Sequence, residues 1–436
     1  MLRAVRRNTE LGLIVLGTLV TVGAYLLASL ARDSTIPANI VPFLAIVLGL
    51  QLAAHVAIRR LAPDADGTLV PIAGLLNGLG YVFIVRIDEA KAEPQGLAGL
   101  QAGWIAVGIA AFVVTLLVLK RVRDLEAFRW TIGMVGIVLL LLPLVPGVGK
   151  TINGAKIWVG IGPISFQPGE FAKILLAIFF ASYLVEKREL LAVSSHRIGP
   201  LQLPDPKHLG PVLLAWGVSL VVMVSEKDLG SSLLFFALFV ALLWVSTERS
   251  TYLVVGVVLF AAGALFASSQ FTHVQQRVDI WLNPWQDPKD DGFQIVESAF
   301  AFSAGGVTGT GINLGSPTRI PYAETDFIFA AIGEELGLVG ATGVLVAYLL
   351  MIGAGLRIAL RTEVPFERLL ATGLTVLIGV QSFIIMGGVT RVLPLTGVTL
   401  PFVSYGGSSL IANYILIALL LRISDDTAHR EAERAA

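Results

Sequence analysis

Apolar runs long enough to cross a lipid bilayer recur along almost the whole chain, and they restrict the fold more than any motif does. About 18–20 consecutive apolar residues span the hydrocarbon layer. The sequence predicts about twelve spans, near Leu11–Leu30, Pro37–Ile58, Leu69–Val85, Gln101–Leu119, Trp130–Val145, Phe171–Val185, Pro211–Val224, Leu229–Val245, Tyr252–Ser268, Phe327–Leu349, Leu369–Met386 and Ser408–Leu421. The alternating pattern that a transmembrane barrel needs is absent, so the spans are helices. Of 436 residues 55% are hydrophobic and 14% charged, where a soluble domain carries about 25% charged. The expected fold class is an all-α polytopic membrane protein. A net charge of zero argues against a nucleic-acid partner. With no cysteine, disulfides and thiolate metal sites are excluded.

Orientation follows from the basic residues. Arg3, Arg6 and Arg7 precede a first run that is full-length and lacks a small-residue cleavage site, which predicts an anchor rather than a signal peptide. Alternation from a cytoplasmic amino terminus places Lys120–Arg129, Glu186–His208 and Arg357–Arg368 inside, as the positive-inside rule requires. Both termini are then cytoplasmic. Three long polar loops, Pro146–Gly169, Gln270–Thr325 and Gly387–Gly407, all fall outside. Loops of this length in a compact protein are commonly functional.

The segment IPYAETDFIFAAIGEELGL, Ile320–Leu338, puts Asp326 at the mouth of an apolar helix and Glu334 and Glu335 two turns deeper. A charged side chain in hydrocarbon costs roughly 2.5–3.5 kcal/mol on insertion scales, so such a residue is a functional candidate by default. Asp326 has the strongest claim, because it meets both water and lipid. Glu170 and Lys173 stand three apart at a helix start, where they can pair. That pair is either structural or a way of holding Lys173 toward a phosphate. Arg277, Lys289 and Arg319 are further cations on the outer side; interfacial anchoring is the favoured reading of each, and Arg277 is the best candidate of the three for a phosphate contact. Trp281 and Trp285 read as interfacial anchors. Gly305, Gly306, Gly309 and Gly311 read as tight turns rather than as a nucleotide loop. Asp228 suits a helix N-cap, with Glu226 and Lys227 expected in solvent. Gly387–Ser409 carries Pro394, Pro401 and several hydroxyls, which suggests a cavity wall. The five histidines are scattered, so neither a serine triad nor a histidine metal site is expected.

With these residues in place, the chain resembles the SEDS family (shape, elongation, division and sporulation proteins). GAKIWVGIGPISFQPGEFAK, TDFIFAAIGEELGLVG and LPFVSYGGSS are similar to its three signatures, in order. The resemblance covers roughly Leu69–Leu421 and implies a ten-helix core. It divides the chain into a two-helix addition at 1–68, the membrane core at 69–424 and a charged cytoplasmic tail at 425–436. The addition and GGVTRVLPLTG resemble the actinobacterial RodA branch more than the FtsW branch. Residue by residue, the resemblance implies that Asp326 is the essential aspartate. Glu170, Lys173, Arg277, Lys156, Asp287, Gln294 and Ser404 are then substrate-binding. Lys156 stands where the family has Arg, Gly169 where it has Ser, Glu226-Lys227 where it has Gln-Pro, and Ile385 where Asn is frequent.

The family's activity implies a peptidoglycan glycosyltransferase of the cytoplasmic membrane, with its active site facing outside. Its substrate would be lipid II and its partner a class B penicillin-binding protein. A divalent cation, Mg or Mn, is an expected cofactor, with no organic cofactor. Two rival readings are a transporter that flips lipid II and a scaffold for a transpeptidase. A transporter needs access from both faces, whereas the distinctive loops lie on one. A scaffold leaves the acid at the membrane unexplained.

Overall fold

A backbone amide in hydrocarbon has no water to bond to, so each apolar run has to satisfy its own hydrogen bonds as a helix. The computed structural model describes residues 2–34, 40–152, 155–161, 164–192, 194–198, 201–204, 214, 217–218, 221–222, 225–226 and 228–435. Among these it forms α1 (Leu2–Asp33), α2 (Ile40–Leu61), α3 (Leu69–Glu89), α4 (Leu97–Val118), α5 (Arg129–Leu141) and α6 (Pro168–Ala192). There follow α7 (Leu229–Thr247), α8 (Ser250–Gln270), α9 (Thr272–Leu282), α10 (Phe293–Gly305), α11 (Ile328–Arg361), α12 (Pro365–Val389) and α13 (Gly407–Ala435). Eleven helical segments among the described residues are long and apolar enough to cross a membrane. α9 and α10, with 11 and 13 residues, are too short. This is a multi-pass membrane protein. The expected span Pro211–Val224 lies largely outside the described residues.

By its contacts the chain divides into two compact units. The first comprises Met1–Arg121, Ile280–Gly355 and Gln381–Ala436. Here α13 packs along α4, and α1 along α3. Gly80 of α3 lets the segment before α13 approach closely: a Cβ there would lie 2.3 Å from the Val403 carbonyl oxygen. The loop between α2 and α3 is clasped by polar groups. Arg422 donates to the carbonyls of Leu61 and Leu116, both at 2.6 Å, and Asp425 accepts the Asp64 N–H at 2.7 Å. Arg7 pairs with Glu10 and donates to the Ala65 carbonyl, while His55 bonds Glu10 at 2.8 Å.

The 34-residue α11 is broken at Gly337, whose φ of 66° and ψ of −165° are reserved for glycine. A break strands backbone groups, which must find other partners. The chain after α10 supplies them. Thr310 and Gly311 donate to the carbonyls of Glu334 and Glu335, both at 3.0 Å, while Leu338 and Val339 donate to the carbonyls of Gly306 and Val307. The glycines of this turn therefore serve close packing, as expected. The side chains of Glu334 and Glu335 finish the joint: Glu334 accepts the Ser316 N–H at 2.7 Å and Glu335 the Asn313 N–H at 3.0 Å. Arg86 of α3 lies 2.6 Å from Glu335 Oε1, an ion contact whose angle falls short of a hydrogen bond, and donates to the Gly315 carbonyl at 2.8 Å. These two acids thus fold a loop.

The second unit comprises Val122–Asp279 and Leu356–Val380. Strands β1 (Gly149–Ile152), β2 (Ala155–Ile161) and β3 (Ile164–Phe166) form an antiparallel meander, with Lys150 opposite Trp158 and Val159 opposite Phe166. It leads directly into α6, which packs on α5 and α7 through Leu140, Ala172, Leu176 and Phe235. Strands β4 (Ser194–Ile198) and β5 (Leu201–Pro204) pair antiparallel after α6. Asp228 caps α7 as expected, accepting the Ser231 N–H at 3.0 Å. Glu226 departs from expectation: it is 3% exposed rather than solvated. Lys227 lies outside the described residues.

Removing Arg86 alone leaves Glu335 buried without its cation. Arg86→Met is expected to destabilise the protein by about 3–5 kcal/mol, with much of the loss recovered in Arg86→Met/Glu335→Leu. Unfolding midpoints in detergent give the comparison. A midpoint unchanged in the single variant contradicts this account of the joint.

Candidate active site

Asp326 is the last residue but one before α11, in a turn spanning 321–327. The turn is tight: Tyr322 has φ 60° and its carbonyl accepts the Thr325 N–H at 3.0 Å. Phe327 is 1% exposed and its carbonyl accepts the Ala330 N–H at 2.9 Å, which starts the helix. Asp326 itself is half-buried. Hydrophobic burial of Phe327 on one side and the turn on the other therefore fix the carboxylate at the helix mouth.

Neighbouring backbone is held by the chain between α12 and α13. Ser404 donates to the Thr325 carbonyl at 2.5 Å and accepts the Leu400 N–H at 2.9 Å. Tyr405 N–H donates to the Glu324 carbonyl at 2.8 Å. Lys91 binds the Glu324 carboxylate at 2.6 Å. The same loop is tied down by Tyr348 O–H on the Pro401 carbonyl and by Gln381 on the Thr399 carbonyl at 2.8 Å. Irregular backbone at membrane depth is tolerated where protein covers it, and Leu400, Phe402 and Val403 are all buried. Ser404, expected to touch substrate, has its hydroxyl committed to positioning the residue beside Asp326.

Two other expected residues belong to this unit. Asp287 is exposed, and its carbonyl accepts the Gly292 N–H at 2.9 Å to close the turn before α10. Gln294 is half-buried in the first turn of α10. Trp281 donates to the Arg391 carbonyl at 3.1 Å, and Arg391 returns bonds to the carbonyls of Trp281 and Leu282, both at 2.9 Å. Trp281 is therefore a structural tie.

The remaining expected residues gather in the second unit. Glu170 lies in the first turn of α6, where the helix dipole favours an acid. It accepts a bond from Lys173 Nζ at 2.5 Å, and the two are 5% and 2% exposed. Arg277, half-buried on α9, lies within electrostatic reach of Asp228, as does Glu170. Lys156 on β2 donates to the Leu144 carbonyl at 3.3 Å. Sequence reasoning missed Glu226 and Asp228 as members of this charged group. The signal was present, in two acids three or fewer residues from a span.

Among the described residues, one group of three carboxylate or imidazole ligands has its atoms within 4.8 Å of one another: Asp64, Asp425 and His429. It does not include Asp326.

A multi-pass helical protein with a carboxylate held at a helix mouth and a buried acid–lysine pair is the class defined so far. The chain belongs to the FtsW/RodA/SpoVE family of cell cycle proteins, whose model matches residues 67–429. It is 46% identical over 424 residues to the peptidoglycan glycosyltransferase RodA of Mycobacterium tuberculosis, covering 96% of this chain and 90% of that one. Identity to the RodA of Mycobacterium leprae is 44% over 428 residues, covering 97% and 91%. A probable peptidoglycan glycosyltransferase FtsW of Geobacter metallireducens is 35% identical over 366 residues, covering 82% and 94%. Among solved structures, a chain of a peptidoglycan synthase complex that coordinates polymerization and crosslinking superposes with a TM-score of 0.67 at 28% identity, covering 83% of this chain and 98% of that one. Thermus thermophilus rod shape determining protein RodA gives 0.59 at 27% identity, covering 83% and 97%. The family read from the three motifs is thereby established.

Truncating one member of the Glu170–Lys173 pair leaves the other charge buried. Lys173→Met is expected to cost about 3–5 kcal/mol of stability. The coupling from a double-mutant cycle with Glu170→Gln should exceed about 1 kcal/mol. Additive effects would show that the two side chains do not act as a pair.

Proposed function

We propose that this protein polymerises lipid II into glycan strands. The observation that carries the reading is the 46% identity, over nearly the whole chain, to a named peptidoglycan glycosyltransferase. The 4-hydroxyl of an acceptor attacks the anomeric carbon of a lipid-linked donor, undecaprenyl diphosphate leaves, and configuration inverts. An inverting displacement needs a base for the incoming hydroxyl. Asp326 takes that proton. Ser404 and Tyr405 keep its backbone in place, and Lys91 holds the adjacent Glu324 away from the role. The donor's diphosphate is met by Lys173, Arg277 and Lys156, while Asp287 and Gln294 contact the sugars or the peptide.

A divalent cation, Mg or Mn, is the family's expectation. Among the described residues, the one group of three carboxylate or imidazole ligands is Asp64, Asp425 and His429, which does not include Asp326. No step here is routed through a metal. The rival readings, transporter and scaffold, are disfavoured because relatives across both branches carry a glycosyltransferase name.

The protein sits in the cytoplasmic membrane with both termini inside and Asp326 outside. Support comes from Arg3, Arg6 and Arg7 before α1, and from the basic residues of Lys120–Arg129 and Arg357–Arg368. Its partner is a class B penicillin-binding protein that cross-links the product. The partner's membrane anchor docks on α11. Gly343 and Gly353 there have open space where a Cβ would be, beside exposed Leu345, Val346, Leu349 and Leu350. On α12, by contrast, Gly373 already packs on Leu238 and Leu242. Small residues permit close helix approach.

Asp326→Asn is expected to lower polymerisation of labelled lipid II by about 10²–10⁴-fold, the usual worth of a general base, with normal folding in detergent. Near-normal glycan synthesis by this variant would remove Asp326 from the mechanism. Photocrosslinkers at Val346 and Leu350 should capture the transpeptidase. Capture only from α1 or α2 would place the anchor elsewhere.

A further inference from the structure

Glu226 belongs to the charged group of the second unit, yet the mechanism above gives it no task. Its Oε1 is shielded from solvent and has no hydrogen-bond partner. Asp228 acts on it electrostatically. Asp228 in turn feels Arg277 from α9 and Glu170 from α6, and Glu170 carries Lys173. Lys227 lies outside the described residues.

Among the described residues the cluster holds three acids and two cations, which cannot all stay charged in a dry place without large cost. Hydrogen-bond donors decide which acid holds a proton. Glu170 accepts from Lys173 at 2.5 Å. Asp228 accepts the Ser231 N–H at 3.0 Å and the Ser231 hydroxyl at 2.5 Å, with Arg277 nearby. Glu226 Oε1 has no hydrogen-bond partner, and among the described residues no donor to its carboxylate is seen. Burial, then the neighbouring Asp228, pushes the Glu226 carboxyl up to about 8. Burial also pushes Asp228 up, opposed by Ser231 and Arg277. Neighbouring acids titrate as a pair, and the proton rests on the member that lacks donors.

We propose that Glu226 is a positioning residue carried as a neutral acid at pH 7, which keeps the Glu170–Lys173–Asp228–Arg277 cluster uncharged overall and open to the donor's diphosphate. Glu170 cancels Lys173, and Asp228 cancels Arg277. Ionised Glu226 adds one negative charge and repels the anion. The inference rests on reading Lys173 and Arg277 as partners of the diphosphate. It makes donor binding fall as pH rises above neutral.

The test uses the full chain in detergent with undecaprenyl diphosphate as the probe. For the parent protein, Kd should rise about tenfold between pH 7 and pH 9, as expected for loss of one proton near pH 8. Glu226→Gln should bind within about twofold of the parent at pH 7, with a flat profile. Parallel rises in both proteins, or no binding to the parent at any pH, overturn the proposal.

A thermal midpoint series tests the proton itself. The folded state holds a proton that the unfolded state lacks between the ordinary value of 4.5 and about 8. Parent stability therefore falls as pH climbs through that window. Glu226→Gln escapes the fall, so its midpoint should exceed the parent's at pH 8, and the gap should shrink toward pH 5. A pH-independent gap overturns the proposal. Glycan synthesis assayed alongside separates the two readings: a parent that binds the probe with the expected profile but makes no glycan sinks the polymerase and leaves Glu226 in place.

Discussion

The broken backbone at Gly337 organises the first unit. A left-handed residue inside a membrane helix leaves carbonyls and amides without helical partners, and hydrocarbon offers none. The turn after α10 docks on the break and supplies them, through Gly306, Val307, Thr310 and Gly311. No side chain fits there: a Cβ on Gly337 would lie 2.3 Å from the Gly309 nitrogen. Arg86, Glu334 and Glu335 then fasten the rest of the turn. Asp326 stands at the head of the short helical piece that this joint anchors.

The charged groups follow one logic in both units. Each buried acid with an assigned structural role is given a donor: Glu335 has Arg86 and Asn313, Glu324 has Lys91, Glu170 has Lys173. Such pairs contribute little net stability, since desolvation offsets attraction. What they supply is register, because a charge stranded by a shifted loop is far more costly than a pair in place. Asp287 differs from these acids in being exposed, and Asp326 in being half-buried.

Much of this was legible in the sequence. Apolar length fixed the spans, the i,i+3 spacing gave Glu170–Lys173, and three signatures in order gave the family. Three things were not. Glu334 and Glu335 looked like functional candidates, because the partners that make them structural are over two hundred residues away, at Arg86, or emerge only when Gly337 breaks the helix. The bonds of Ser404 to Leu400 and Thr325 were not visible either, because a hydroxyl in a motif does not reveal its backbone partners. Glu226 looked solvated, because two adjacent charges beside a span usually are, and its burial depends on packing that periodicity cannot express.

The break also settles a problem of length. Thirty-four residues of unbroken helix measure about 51 Å at 1.5 Å per residue, whereas the hydrocarbon core is about 30 Å thick. An unbroken rod would have to tilt steeply, and its tilt would change with every change in bilayer thickness. The break at Gly337 divides the helix into nine residues before it, Ile328–Leu336, and a stretch after it of about 36 Å, close to the hydrocarbon thickness. The part that has to match the bilayer is thus shorter than the whole helix, and Asp326 stands at the head of the other part.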